Sequence, residues 1–149
     1  MSARRRPRDA RRVRRMRGGW LPTVLVLVAL ATVATAQEAA APQPSALAQF
    51  TTAVENREPI DQVTFVSNDV RKIFFFSDLR DLAGRTVIHR WIHGGETQAE
   101  VSFDVGGPRW RVWSSKDLLP DWIGDWTVEI VSDGEVIAAE TFTYSPVDG

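Results

Sequence analysis

A strict alternation of apolar and polar side chains between Thr97 and Val105 constrains the fold more than any other feature of this chain. The apolar positions are Ala99, Val101, Phe103 and Val105, and the polar positions between them are Glu100, Ser102 and Asp104. A period of two residues is typical of a β-strand that buries one face and exposes the other. The segment therefore predicts a sheet with one face on a hydrophobic core.

Similar short segments follow one another along residues 47–145, separated by turn signals roughly every 8–12 residues. The predicted strands include Leu47–Val54, Arg71–Phe76, Arg85–Ile92, Trp126–Val131 and Val136–Tyr144. Tight hairpins are expected at His93–Glu96 and Asp133–Gly134, because Gly-Gly and Asp-Gly pairs suit two-residue turns. Only two short helical turns are expected, at Ser77–Gly84 and Asp117–Pro120.

About seven short strands with almost no helix predict an all-β fold, namely an immunoglobulin-like antiparallel β-sandwich. Two details favour the immunoglobulin-like type. Trp91 falls on an early central strand, where such domains bury a tryptophan. The segment Asp121–Trp126 precedes a late strand, at the corner where such domains often place an anchoring aromatic residue.

The N-terminal segment 1–36 has the three parts of an export signal. Nine arginines between Arg4 and Arg17 precede an apolar run that starts at Trp20, and Ala34-Thr35-Ala36 fits a small-x-small cleavage pattern. We predict cleavage before Gln37, a flexible linker over 37–46 and a β-sandwich domain over 47–146. The expected location is the periplasm or the exterior. A retained leader would instead anchor the domain in the inner membrane, facing out of the cytoplasm, and either Met1 or Met16 could be the start.

The charge is divided unevenly along the chain. The net charge of the whole chain is −1, but from Gln37 onward nine Lys and Arg residues face 18 Asp and Glu residues, a net charge of −9. Nucleic acid is excluded as a partner, because phosphate binding needs clustered basic residues. The chain has no cysteine, which excludes disulfides, thiol catalysis and thiolate metal sites.

The segment Gly106–Lys116, GGPRWRVWSSK, is the best candidate for a binding surface. As a strand after a Gly-Gly-Pro turn, it would bury Trp110, Val112 and Ser114 and expose Arg109, Arg111, Trp113 and Ser115. The candidate binding residues are Arg109, Arg111, Trp113, Lys116 and Arg90. Arginine beside tryptophan suits cation–π contacts and carboxylate binding. In the alternative interpretation, Arg109 and Arg111 pair with Glu100 or Asp104 across a hairpin and serve the fold.

No complete catalytic or metal-binding set is found in the sequence, and no cofactor is expected. A hydrolase centred on His89 and Ser114 is a weaker hypothesis that requires the two side chains to meet in one cleft. His89 is better interpreted as a hydrogen-bonded, partly buried residue beside Trp91. The acids Asp117, Asp121 and Asp125 lack the spacing of a calcium loop and are interpreted as solvated.

Several motifs resemble an uncharacterised bacterial family, domain of unknown function 2914. The matching motifs, over about residues 47–145, are ENREP (55–59), FFFSDLR (74–80), GRTVIHRW (84–91), VGGPRWRVWSSK (105–116), LLPDWIGDWTV (118–128) and FTY (142–144). The resemblance implies a complete domain and no particular activity. The sequence thus predicts an exported, non-enzymatic domain with a protein or glycan partner in the cell envelope, or a structural domain tethered to the envelope.

Overall fold

The computed structural model describes residues 40–147, and the predicted export signal, its cleavage point and the first part of the linker lie outside this range. The strands are β1 Ser45–Thr51, β2 Val54–Glu55, β3 Glu58–Pro59, β4 Phe65–Ser67, β5 Lys72–Arg80, β6 Thr86–His93, β7 Glu96–Asp104, β8 Arg109–Asp117, β9 Gly124–Ser132 and β10 Glu135–Ser145. Seven of these strands contain seven residues or more. Within residues 40–147 there is no helix, and hence none that could cross a membrane.

The strands form two principal sheets. One has three strands in the order β1-β5-β8, the other has five in the order β4-β10-β9-β6-β7, and β2 and β3 form a short ribbon. Neighbouring strands are antiparallel except for the β10–β4 pair. The chain changes sheets between β4 and β5, between β5 and β6, between β7 and β8, and between β8 and β9, so the two sheets are interleaved along the sequence.

Two hairpins join neighbours within the five-stranded sheet at the predicted positions. Gly94 and Gly95 link β6 to β7 with φ angles of 59° and 80°, and Asp133 and Gly134 link β9 to β10 with φ angles of 51° and 81°. Two consecutive positive φ angles match the right-handed twist of the strands they connect, and glycine reaches them without steric cost.

The core consists of the side chains that the two sheets direct toward each other. Trp91 on β6 is fully buried, as predicted, and it packs edge-on against Phe50 of β1 and Phe75 of β5. Trp126, at the start of β9, is also fully buried, and its indole N–H donates to the carbonyl of Trp122 at 3.0 Å. This bond anchors the predicted aromatic corner to the preceding loop.

Two local predictions are wrong. The segment from Ser77 to Gly84 is not a helical turn, because β5 continues to Arg80 and places Ser77 and Leu79 in the core at 0% exposure. The segment Asp117–Pro120 is not helical either: β8 continues to Asp117, and an irregular turn follows it. In both places the burial of alternate residues against the opposite sheet outweighs the local helical preference.

Candidate functional site

Strand β8 presents two faces that differ in chemistry, as the sequence predicts. Val112 and Ser114 are each 6% exposed on the inner face. On the opposite side of the strand, which points away from the core, lie Arg109, Arg111, Trp113 and Ser115. We call the outer surface of the three-stranded sheet, formed by β1, β5 and β8, the outer face.

Arg109 is held by a carboxylate of the neighbouring strand. Its guanidinium donates to Asp78 of β5 at 2.8 and 3.1 Å, and Arg80 donates to the same carboxylate at 3.0 and 3.1 Å. The Arg109 hydrogen bond is the main cause that lowers the pKa of Asp78 below its usual value. Two guanidinium groups therefore share the Asp78 carboxylate at this end of β8.

Arg111 pairs with Glu58 on β3, so the β2–β3 ribbon reaches the outer face. The ribbon turns through Asn56 and Arg57, which have φ angles of 50° and 65°. Asparagine tolerates this left-handed conformation better than most residues do, whereas arginine adopts it less readily.

The pairing of Arg109 and Arg111 with Glu100 or Asp104, which the alternative interpretation predicts, is wrong. The chain does not form a hairpin at Gly106–Pro108 but crosses there from one sheet to the other, and β8 pairs with β5 instead of β7. Both arginines do pair with carboxylates of this chain, but these are Asp78 of β5 and Glu58 of β3. Glu100 pairs with Arg90, and Asp104 accepts a hydrogen bond from Thr86.

Trp113 is 38% exposed on the outer face, whereas Trp91 and Trp126 are fully buried. Its cross-strand neighbour on β5 is Phe76, which is 5% exposed. Beyond it, Leu47 of β1 is 73% exposed, and Leu47 and Phe76 line a shallow cleft of about 390 Å³. We call Leu47, Phe76 and Trp113 the outer apolar patch.

The remaining two candidate residues do not join this surface. Lys116 lies on the other side of β8 from Trp113, and its ammonium group is 5.3 Å from the centre of the Trp122 ring. Arg90 lies on β6 in the five-stranded sheet, where it bonds Glu100 at 2.7 Å and Glu129 at 3.3 Å. The structure thus brings together Arg109, Arg111 and Trp113 and separates the other two.

Leu47 and Phe76 are members of the surface that the sequence analysis missed. Leu47 has the opposite parity to the core residue Phe50, and this signal could have identified it as outward-facing. Phe76 could not be assigned in this way, because its place beside Trp113 depends on the β5–β8 register.

His89 and Ser114 do meet, but in the core. The Nδ1 atom of His89 is 2.9 Å from the Ser114 hydroxyl, and its Nε2 atom is 2.9 Å from the hydroxyl of Ser77. The indole N–H of Trp91 donates to the same Ser114 oxygen at 3.0 Å. We call these four residues the buried histidine network.

Burial determines the chemistry of this network. His89 is 0% exposed and its ring packs edge-on against Phe75 and Phe103, at centroid distances of 4.9 and 4.8 Å. Desolvation lowers the pKa of His89 to about 3, so the imidazole is neutral at pH 7. Such a weak base is poorly suited to activate Ser114, which is itself buried. The network therefore connects the two sheets through hydrogen bonds.

The interleaved topology and the buried tryptophan of β6 define the class of this domain: it is an immunoglobulin-like β-sandwich. A solved structure with a similar fold is an immunoglobulin-like protein from Pseudomonas aeruginosa. The two chains share 13% sequence identity with a TM-score of 0.48, and the match covers 71% of this chain and 99% of the other.

A second comparison concerns the family that the sequence motifs resemble. Residues 84–144 match the family described as "Protein of unknown function (DUF2914)", which confirms the predicted resemblance over this segment. The matched segment is shorter than the range of about 47–145 over which the motifs resemble the family, and it includes β6 to β9 and most of β10. No curated protein matches the chain.

Proposed function

We propose that this protein is an exported, non-catalytic binding domain that docks a partner protein on its outer face. The observation that carries the proposal is the exposure of Trp113 beside the other residues of the outer apolar patch. Protein interfaces concentrate their binding energy in a few aromatic and arginine residues, and tryptophan is prominent among them.

The surroundings of Trp113 support a protein partner. Arg109 and Arg111 precede the tryptophan on the same side of β8, and both are held in place by carboxylates of this chain. Arginines that are already fixed by ion pairs lose little conformational entropy when a partner binds. Polar groups beside an apolar centre are typical of an interface rim.

A non-catalytic role is supported by the state of the buried histidine network. His89 and Ser114 have the hydrogen-bond distance of a base and a nucleophile, but neither side chain is open to a substrate. Export is part of the proposal because of the three-part N-terminal signal, and N-terminal sequencing of the exported protein is expected to begin at Gln37.

The proposal is tested by placing a photo-crosslinking amino acid at position 113 in cells that produce the protein. The control is position 136, since Val136 is 50% exposed on β10 of the other sheet. We expect a discrete protein adduct from position 113 and none from position 136. Equal crosslinking at both positions, or none at 113, would contradict the proposal.

A second measurement separates binding from folding. Trp113→Ala should abolish capture of the crosslinked partner and lower the melting temperature by no more than about 10 °C, because the side chain is partly in water and only partly packed on its neighbours. Val136→Ala should retain capture. If Trp113→Ala lowers the melting temperature strongly, Trp113 serves the fold and the proposal fails.

A further inference from the structure

We propose that the open edge of β8 accepts an extended strand of the partner polypeptide, which extends the three-stranded sheet to four strands. This inference rests on the proposed function and specifies how the partner binds. Within residues 40–147, β8 pairs with β5 on one side and with no strand on the other.

The hydrogen-bonding groups at this edge can be assigned residue by residue. The Asp81 amide donates to the carbonyl of Pro108, and the Leu118 amide donates to the carbonyl of Arg71, both between the β5 and β8 segments. Because hydrogen bonding alternates along an antiparallel pair, the even-numbered residues of β8 direct their backbone N–H and C=O groups toward β5. The outward backbone groups therefore belong to Arg109, Arg111, Trp113, Ser115 and Asp117.

The opposite sheet extends past this edge. His89 on β6 bonds both Ser77 of β5 and Ser114 of β8, so β6 lies across from the space between those two strands. β7 is the next strand on the side away from β9 and β10, and β10 lies near β1. With a spacing of about 4.8 Å between strands, β7 lies across from the open edge of β8.

The core-facing side chains of β7 are less buried than those of β6, as expected where the opposite sheet has no strand to cover them. The inward residues Val101 and Phe103 are only half-buried, whereas their β6 partners His89 and Val87 are 0% exposed. An added strand beside β8 would cover the inner side of β7 and would bury apolar side chains of its own there.

These features define the chemistry of the partner strand. Its inward residues are apolar and alternate with polar outward residues, in the period-two pattern of a strand. An acidic residue is expected opposite Arg109, where two guanidinium groups share the single Asp78 carboxylate.

A second copy of this chain is a poorer fit as the occupant. If β8 paired with β8 of another copy about a two-fold axis, both β7 strands would project over the same seam between the sheets. The two strands would then compete for one position, so the inference is specific for an extended peptide segment.

The test uses the purified full-length protein and a blocked synthetic nine-residue peptide. Val and Ile alternate in this peptide with Thr and Glu, and a shuffled peptide of the same composition without alternation serves as the control. Amide hydrogen exchange measured by NMR should slow at least about tenfold at Arg111, Trp113 and Ser115 when the alternating peptide binds. The amides of Val112 and Ser114 already bond β5 and provide the internal reference.

Matched proline variants test the edge directly. Ser115→Pro removes an outward N–H without removing a bond to β5, so the fold should persist and peptide affinity should fall at least about tenfold. Ser102→Pro is the control on the other open edge: Val105 directs its N–H and C=O groups to the β6 side, so the N–H of Ser102 points away from β6. This variant should bind the alternating peptide with the affinity of the wild type.

Three results would overturn the inference. The first is no binding of the alternating peptide at about 1 mM, or equal binding of the shuffled peptide. The second is protection of the outward amides before peptide is added, with sedimentation then showing whether a second copy is the occupant. The third is equal loss of affinity in both proline variants. If position 113 still crosslinks a partner in any of these cases, the proposed function stands and only strand addition is wrong.

Discussion

The pH dependence of stability tests the buried histidine network in detail. His89 is neutral in the folded protein because burial lowers its pKa from 6.5 to about 3. In the unfolded chain the imidazole binds a proton as the pH falls below its ordinary pKa. Stability from this source is therefore fully present above pH 6.5 and is lost progressively as the pH falls from 6.5 to 3.

The magnitude follows from these two pKa values. Each unit of difference in pKa corresponds to about 1.4 kcal/mol, so between pH 7 and pH 5 the folded state loses about 2 kcal/mol relative to the unfolded chain. This is a large share of the 5–15 kcal/mol, roughly, that stabilises a typical domain. Among the described residues, desolvation is the cause that shifts this pKa and no charge partner offsets the loss; the ring contacts include Ser77, Ser114, Phe75 and Phe103.

The assay is urea unfolding followed by tryptophan fluorescence at pH 7 and pH 5. The two variants are His89→Gln, whose amide can still bond both serines, and His93→Gln, which replaces the chain's other histidine. Carboxylates titrate in all three proteins, so the comparison between them isolates His89. The wild type and His93→Gln should lose about 2 kcal/mol more than His89→Gln does.

An equal pH-dependent loss in all three proteins would refute this reasoning. If His89→Gln does not fold, NMR titration of the wild-type imidazole provides the same test. The ring resonances of His89 should stay constant from pH 7 down to pH 4. A midpoint near pH 6.5 would show that the ring is accessible to water.

Three further predictions concern other parts of the fold. Trp126→Phe should lower the unfolding free energy by about 2–3 kcal/mol in urea titration, because it leaves a cavity and removes the donor to the Trp122 carbonyl. Asp78→Asn should cost about 1 kcal/mol at pH 7 in the same assay. This difference should shrink as the pH falls below 3.8 toward the lowered pKa of Asp78, because the Asp78 carboxylate stabilises the fold fully only above 3.8. Gly106→Ala should lower the melting temperature, because the added Cβ would lie 2.9 Å from the ring of Trp110, and an unchanged value in calorimetry would contradict this packing.

Most strands could be predicted because their signals are local. The alternation over 97–105 and the Gly-Gly and Asp-Gly hairpins depend on residues that are close in sequence, and the structure confirms them at β7, β6–β7 and β9–β10. The alternation of β8 likewise predicted which side of the strand Trp113 occupies. Side-chain period and turn chemistry are intrinsic to the chain, so they can be read without knowing the fold.

Strand pairing and contacts between sheets depend on residues far apart in sequence, and only the tertiary structure determined them. The carboxylate partners of Arg109 and Arg111 follow from the pairing of β8 with β5 and the position of the β2–β3 ribbon. Ser77 reads locally as a helix cap, yet it lies in a strand because it faces His89 across the core. The open edge of β8 is also a property of the tertiary structure, because the order of the strands in a sheet decides which strand lies at its edge.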